Sequence, residues 1–439
     1  MAFYSVYCIT ACDRPGIDEA LPPTVFEKSE GKATETYQSG MAYWHVMAKR
    51  SEQLKILQYG STDANIPLHL AVLSPSKEFN PKRLKTDGKS IVLVNNAIHP
   101  GEPDGVDASL LLCKEFIESG EVEERLGDVV LAFIPFYNIG GALNRNSTTR
   151  ANQQGPKSYG FRGNGQNYDL NRDFIKSDTK NAASFAQLFN KWSPDVFVDT
   201  HVSNGADYQY NITCLDTQPD KLGGKLGEYL REEFTPGLFR YMEEQGEPMT
   251  PYVNVWGSIP DSGWVQFMDH PRYSTGYAAL HHSIGFMTET HMLKPFNERV
   301  KATKHFLEGV LAYTKENGTE IRQLRKEAVA QSQEAGEWPL TWENNPKEWD
   351  TMMFKGYEAS YPESKVTGQP RLYYDRDKPF EKEIRLFNHF KPDITVPVPQ
   401  AYIIPQAWEK VVKRLEWNGV EFRQLERDTV LNVAAYHID

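Results

Sequence analysis

Short continuous runs of apolar residues alternate along this chain with stretches in which apolar positions recur every three or four residues. The first kind reads as buried strand, the second as amphipathic helix. Tyr37, Met41, Trp44, Met47 and Ala48 carry helical spacing. Leu54 to Gly60 and Ile66 to Leu73 read as strands flanking a Ser-Thr-Asp-Ala-Asn turn. Ile91 to Asn96 is a third strand, followed by a helix through Ala108 to Phe116 and a fourth strand over Val129 to Phe136. Asn181 to Trp192 and Leu222 to Phe234 are helical, and Asp195 to His201 is a strand ending in a histidine. Tyr277 to His282 reads as a helix and Ile284 to Thr288 as a strand ending at Glu289. A helix over Arg299 to Tyr313 breaks near Asn317-Gly318 and resumes as a charged helix from Glu320 to Ala335. This order predicts an α/β fold: a mixed twisted sheet with helices on both faces.

Two stretches interrupt the pattern. Residues 138 to 170, rich in Gly, Asn, Ser and Gln, read as a long loop of the kind that is often functional. Residues 246 to 276 are irregular as well. A boundary falls at 336 to 347, where Gly336, Pro339, Asn344, Asn345 and Pro346 cluster. Beyond it, strands are predicted at Ile384 to Phe390, Ile394 to Val398, Val420 to Arg423 and Thr429 to Tyr436, with an amphipathic helix over Ala407 to Trp417. The predicted organisation is a lead-in over 1–35, a main domain over 36–335 and a small C-terminal α+β or β-rich module over 347–439.

The 439 residues suffice for a large core, and 40% are hydrophobic. A net charge of -11 argues against nucleic acid as the main partner. No run of 18 apolar residues exists, so no transmembrane helix is expected. Cys8, Cys12, Cys113 and Cys214 form no CxxC pair, which argues against a cysteine zinc site. Cys113 and Cys214 read as core residues. Ile9-Thr10-Ala11-Cys12 resembles a bacterial lipoprotein cleavage box after a short apolar stretch, though the usual basic segment is missing. That reading makes Cys12 a lipid anchor and the location extracytoplasmic: periplasmic, secreted or lipid-anchored. The alternatives are a disordered tail with two incidental cysteines and a cytoplasmic protein.

Unusual polar residues stand at four strand or loop ends. His99-Pro100-Gly101-Glu102 follows the third strand, and Pro100 and Gly101 supply the turn that lets both side chains converge. Asp169-Leu170-Asn171-Arg172 closes the long loop, while His201 and Glu289 end strands. Strand ends are where open α/β sheets place their sites. Two His and one Glu form a three-ligand set for a catalytic zinc with a fourth position open, and Glu289 is left over as a proton acceptor. The bland readings are a turn histidine, a turn-capping aspartate, a loop salt bridge and a buried structural acid.

Taken together the four motifs resemble the zinc carboxypeptidase family, peptidase family M14, over roughly residues 36 to 315. The His-x-x-Glu motif matches His99 to Glu102, the Asp-x-Asn-Arg motif matches Asp169 to Arg172, and the lone downstream His and Glu match His201 and Glu289. The resemblance implies one zinc ion on His99, Glu102 and His201, with Asp169 accepting from the free ring nitrogen of His99. It implies Asn171 and Arg172 as a grip on a substrate's free C-terminal carboxylate. It implies Glu289 as general base and Arg162 as the oxyanion arginine, with Arg145 and Arg150 as competitors. The family also uses a mobile tyrosine, for which Tyr273 and Tyr277 are candidates. His281, His282 and His291 read as surface or supporting residues.

The function so implied is a zinc metallocarboxypeptidase acting on a peptide or peptide-like substrate. The alternatives are a peptidoglycan stem-peptide carboxypeptidase or a small acyl-amino-acid deacylase on the same fold, and a non-catalytic relic that still binds metal. Side-chain preference and oligomeric state are not legible.

Overall fold

A computed structural model of the chain describes residues 20–436. The proposed lipid anchor at Cys12 and the first part of the lead-in lie outside the described residues. The core is an eight-stranded mixed sheet. In chain order its strands are β1 (Leu54–Tyr59), β2 (Leu68–Leu73), β3 (Ser90–Asn95), β4 (Val129–Ile134), β5 (Val196–Ser203), β6 (Ile212–Asp216), β7 (Met249–Pro251) and, after a short strand β8 (Trp264–Val265) outside this sheet, β9 (Ile284–His291). The spatial order is β1-β2-β4-β3-β5-β9-β6-β7. The central four, β4, β3, β5 and β9, are parallel.

Every residue of β2, β3, β4 and β5 is buried. That is the signature of strands covered on both faces, and it explains why they read as continuous apolar runs rather than alternating ones. Val92, Val94, Leu131, Phe133, Val196 and Val198 face one core. Against it lie α1 (Tyr37–Arg50), α2 (Asp104–Ser119) and α5 (Phe296–Glu334). The residues in between, Ile91, Leu93, Val130, Ala132 and Phe197, face a second core. There α3 (Lys180–Trp192) and α4 (Ser274–Leu280) pack. Asp199 and His201 continue the row of Phe197 toward the end of β5, because strand side chains repeat every second residue.

From β3 the chain moves to one side to form β4, then returns past β3 to form β5 on the other side. The ends of β3 and β5 therefore flank a topological switch point, where such sheets open a crevice.

Three sequence expectations are corrected. The helix expected to break at Asn317-Gly318 is one continuous helix of 39 residues, α5. Gly318 is there because a Cβ would collide with the Ser90 hydroxyl at the start of β3; it serves a close approach, not a stop. No strand forms over 420–423 or 429–436. Those residues are exposed almost throughout, so β-forming side chains there have no neighbouring strand to pair with. The helix over Tyr277 to His282 lies a turn earlier, at Ser274–Leu280.

The C-terminal part holds four short strands, β10 (Glu337–Pro339), β11 (Trp342–Asn344), β14 (Phe390–Pro392) and β15 (Thr395–Pro397), and a long hairpin of β12 (Asp350–Ser360) and β13 (Tyr373–Phe387). The hairpin packs Phe354, Ile384 and Leu386 on Tyr208, Tyr210 and Trp264, and β13 pairs with β8. A last helix, α6 (Glu409–Trp417), lies against α3. No described helix is long and apolar enough to cross a membrane.

Candidate active site

Past β3 the chain bends through Ala97, whose φ of 55° is left-handed. Such backbone costs about 1–3 kcal/mol in a residue other than glycine and persists only where neighbours hold it. Here Asn138 does so. Its backbone N–H donates to the Ala97 carbonyl at 3.1 Å. Its side-chain amide donates to the carbonyls of Ile98, at 3.2 Å, and Arg162, at 3.0 Å. One asparagine thus ties the turn carrying His99 to the loop carrying Arg162. The Glu102 N–H donates to the His99 carbonyl at 2.8 Å and closes the turn that the Pro-Gly pair predicted.

On the sheet, His201 of β5 and Glu289 of β9 are paired in register. Residues so paired share a face of the sheet. His99, Glu102 and His201, all buried, bring one ligand atom each to within 4.8 Å of the others. The Nδ1 atoms of His99 and His201 lie 3.3 and 3.1 Å from the same oxygen, Oε2 of Glu102. Each opposite nitrogen faces a second carboxylate. His99 Nε2 is 2.9 Å from Asp169 Oδ1, and His201 Nε2 is 2.9 Å from Asp199 Oδ2.

This donor set fits a zinc ion. A proton on each Nε2, given to Asp169 and Asp199, leaves both Nδ1 lone pairs aimed at one carboxylate oxygen. Three lone pairs crowded together repel one another unless a cation or protons lie among them. Two imidazoles and one carboxylate are a zinc donor set, and the outer carboxylates fix the tautomers.

The charges around the centre respond to this crowding. Burial opposes ionisation of Glu102, but His99, Arg150 and His201 hold its carboxyl well below the ordinary value. For His201, burial would lower the pKa, yet Asp199, Glu102 and Glu289 raise it well above the usual imidazole value. Burial pushes Glu289 up to about 7, with His201 pulling down and Glu102 pushing up. Among the described residues the Glu289 carboxylate has no hydrogen bond and no ion pair. It stands beside His201 with its proton-accepting oxygens unengaged.

Arg162 and Asp169 stand against the cluster, and Asn171 and Arg172 follow Asp169 in the same short turn. Arg162 holds Asp169 Oδ2 through Nε at 3.1 Å and Nη2 at 2.9 Å, and reaches Glu102 Oε1 at 3.4 Å. Asp169 Oδ1 also accepts from the Asn171 N–H at 3.0 Å. It caps the short turn Leu170–Arg172 and at the same time faces His99. Asn171 is buried with its amide oxygen unpartnered. The Arg172 guanidinium is 4.7 Å from the centre of the Tyr273 ring.

Other candidates fall away. Tyr277 is fully buried in the second core, with its hydroxyl on Asn418 at 2.7 Å, so it cannot be a mobile cleft tyrosine. Arg145 donates to the carbonyls of Glu35 and Ser158 and takes no part in the centre. His291 is not a surface residue; it is fully buried, and its Nε2 faces the Ala206 carbonyl at 2.8 Å. Cys113 and Cys214 are buried free thiols.

Sequence reasoning missed four residues. Asp199 could have been found, since a side chain two before His201 on a strand points the same way. Asn95 orients Asp199 by donating to its Oδ1 at 2.9 Å. Asn138 left no sequence signal, nor did Tyr252. Burial raises the Tyr252 hydroxyl pKa, as do the nearby carboxylates Glu289 and Glu102, against Arg172 and Arg162. Its ring lies edge-on to that of Phe267, with centroids 6.3 Å apart.

A mixed sheet with a His-Glu-His cluster at its switch point, flanked by an unengaged carboxylate and arginines, is an arrangement suited to a metal-dependent hydrolase. Residues 41–209 match the family model described as zinc carboxypeptidase. The match includes His99, Glu102, Asp169 to Arg172 and His201, and stops short of Glu289. Carboxypeptidase 2 of Trichophyton rubrum is 23% identical over 437 residues, spanning 95% of this chain and 72% of the relative. Among solved structures, a metallo-carboxypeptidase from Burkholderia cenocepacia aligns with a TM-score of 0.49 at 16% identity, covering 64% of this chain and 70% of that one. One from Pseudomonas aeruginosa, in complex with (2-guanidinoethylmercapto)succinic acid, aligns with a TM-score of 0.49 at 14% identity, covering 66% and 70%.

Proposed function

We propose that the protein removes the C-terminal residue of a peptide, with His99, Glu102 and His201 holding one zinc ion. Bound there, zinc would polarise the scissile carbonyl and lower the pKa of an attacking water to about 7. Glu289 takes the water's proton and passes it to the leaving amine. Arg162, half exposed above Asp169, donates to the oxygen on which negative charge develops. Arg172 and the Asn171 amide grip the terminal carboxylate, for which a guanidinium fork is suited.

The observation that carries this reading is the register of β5 and β9, which sets an unbonded Glu289 beside His201. A structural acid in that position would have found a donor. The test compares hydrolysis of peptides with free and amidated C-termini, with and without a chelator. Cleavage of the free peptide alone, abolished by the chelator and restored by zinc, is expected. Equal cleavage of both peptides, or resistance to the chelator, overturns the proposal. Cell-wall stem peptides and acylated amino acids offer the same carboxylate to the same clamp. Digestion of muropeptides followed by mass analysis separates those substrates from ordinary peptides.

A further inference from the structure

Two arginines reach Glu102, and they differ in freedom. The Arg162 side chain is 47% exposed, whereas that of Arg150 is 16% exposed. Arg150 Nη1 lies 2.7 Å from Glu102 Oε1. Its Nη2 donates to the Val202 carbonyl at 2.8 Å, and its Nε donates to Gln153 Oε1. Gln153 in turn donates to the Gly101 carbonyl at 3.0 Å. The Arg150 backbone N–H donates to the Tyr159 hydroxyl at 3.1 Å. Nε, Nη1 and Nη2 thus each donate to the protein, three of the five N–H groups, and they hold the guanidinium in place from three sides.

The two oxygens of Glu102 are sorted accordingly. Oε1 accepts from Arg150. Oε2 accepts from the Val202 N–H at 3.0 Å and faces both Nδ1 atoms. Arg150 and Glu102 therefore clasp Val202, the residue after His201, from both its N–H and its carbonyl. The motif itself makes room for this. A Cβ on Gly101 would stand 2.9 Å from Arg150 Cδ and 3.1 Å from the Gly160 carbonyl. The glycine in His99-Pro100-Gly101-Glu102 is a groove for the arginine stem as well as a turn residue.

We infer that Arg150 is a positioning residue that engages Oε1 of Glu102, so that Oε2 alone is presented to the metal, and locks the His99 turn to β5. It is not a second oxyanion donor. The inference rests on the proposed zinc reading of His99, Glu102 and His201.

The test measures the zinc dissociation constant of the full chain by competition with a chromogenic chelator, beside kcat and KM at saturating zinc. Wild type and His99→Ala come first: failure of wild type to bind one zinc, or equal binding by His99→Ala, removes the zinc reading itself. With that established, Arg150→Met should weaken zinc about 10- to 100-fold, the range seen for lost outer partners of ligands. KM should stay unchanged. Arg150→Lys keeps the charge but cannot span Glu102 and Val202 together, so it should recover only part of the loss. Gly101→Ala should weaken zinc in the same direction with the guanidinium intact, and it carries the test together with Arg150→Lys should Arg150→Met not fold. Zinc affinity equal to wild type in Arg150→Met, or in both of the other two variants, overturns the inference. So does a loss in kcat at saturating zinc without a change in affinity, which would make Arg150 an oxyanion residue.

Discussion

His201 and His99 each lean on a carboxylate 2.9 Å from Nε2, but the two supports are built from different material. Asp199 comes from the same strand as its histidine, is fully buried, and is oriented by Asn95 of the neighbouring strand β3. Asp169 comes from the far end of the long loop, has a side chain 29% exposed, and divides its oxygens among His99, Arg162 and the Asn171 N–H. One half of the centre is fixed by sheet register; the other is assembled from loop hydrogen bonds around Asn138 and Arg150. A register cannot slip by one residue without reversing every side chain, whereas loop contacts loosen one at a time. The strand half is therefore the more rigid support and the loop half the more adjustable one.

The largest effect belongs to the strand half. Glu289→Gln keeps the shape and removes the base, so kcat should fall about 10²- to 10⁴-fold while zinc still binds. Turnover equal to wild type would remove Glu289 from the mechanism. The next effect divides the halves directly. Asp199→Asn should weaken zinc about 10- to 100-fold, because a buried, single-purpose partner has no substitute. Asp169→Asn should weaken zinc less and lower kcat more, since Arg162 loses its anchor. Equal effects on zinc affinity would show that burial and register do not separate the two supports.

A pH experiment sharpens the same contrast. The folded pKa of His201 is raised by Asp199, Glu102 and Glu289 against the opposing effect of burial. Its contribution to stability in the metal-free protein is fully present below the unfolded value, about 6.5, and is lost as the pH rises through the folded value. Glu289, raised to about 7, acts in the same sense between its unfolded value and 7. The opposing histidines, His281 and His291, are lowered to about 4 by burial, so their gain in stability with rising pH runs from there up to the unfolded value, about 6.5, and is nearly complete by about pH 7.5. Chelator-treated protein should accordingly melt at lower temperature as the pH goes from about 7.5 to 8.5. Zinc needs deprotonated nitrogens, so the zinc-loaded protein should not show that fall. A flat profile in the chelated protein would mean that His201 is not the charged group described.

These halves were also unequally legible in the amino-acid sequence. Buried parallel strands announce themselves as unbroken apolar runs, so β3, β4, β5 and β9 could be placed, and with them His201 and Glu289 at their ends. The His99 turn was legible through its Pro-Gly pair. Arg162 was named, and Asp169 given its link to His99, through a family resemblance and not through any local physics. Asn138 and Arg150 act through contacts made by folding alone, with partners 40 and 48 positions away in Ile98 and Glu102, and no periodicity encodes those. Gly318 misled for the same reason. A glycine beside an asparagine is a fair stop signal, and only the proximity of Ser90 shows that it fills a crossing point. The β12–β13 hairpin was read only at its end because most of its positions are exposed, which leaves little alternation to detect.

The tyrosines give the smallest effects and the most direct check on which element borders the cleft. Tyr277 sits in the strand-backed core, and its hydroxyl bonds Asn418 at the end of α6. Tyr277→Phe should cost about 1 kcal/mol of stability and leave kcat/KM alone. Tyr252 lies in the irregular stretch after β7, with the charges of Glu289, Glu102, Arg172 and Arg162 acting on its hydroxyl. Tyr252 belongs to none of the described core clusters. Tyr252→Phe should therefore lower kcat/KM severalfold with the melting temperature unchanged. Because the two substitutions delete the same atom, any difference between them reports location. If Tyr277→Phe lowered activity and Tyr252→Phe only stability, the cleft wall would belong to α4 and not to the segment that carries Tyr252.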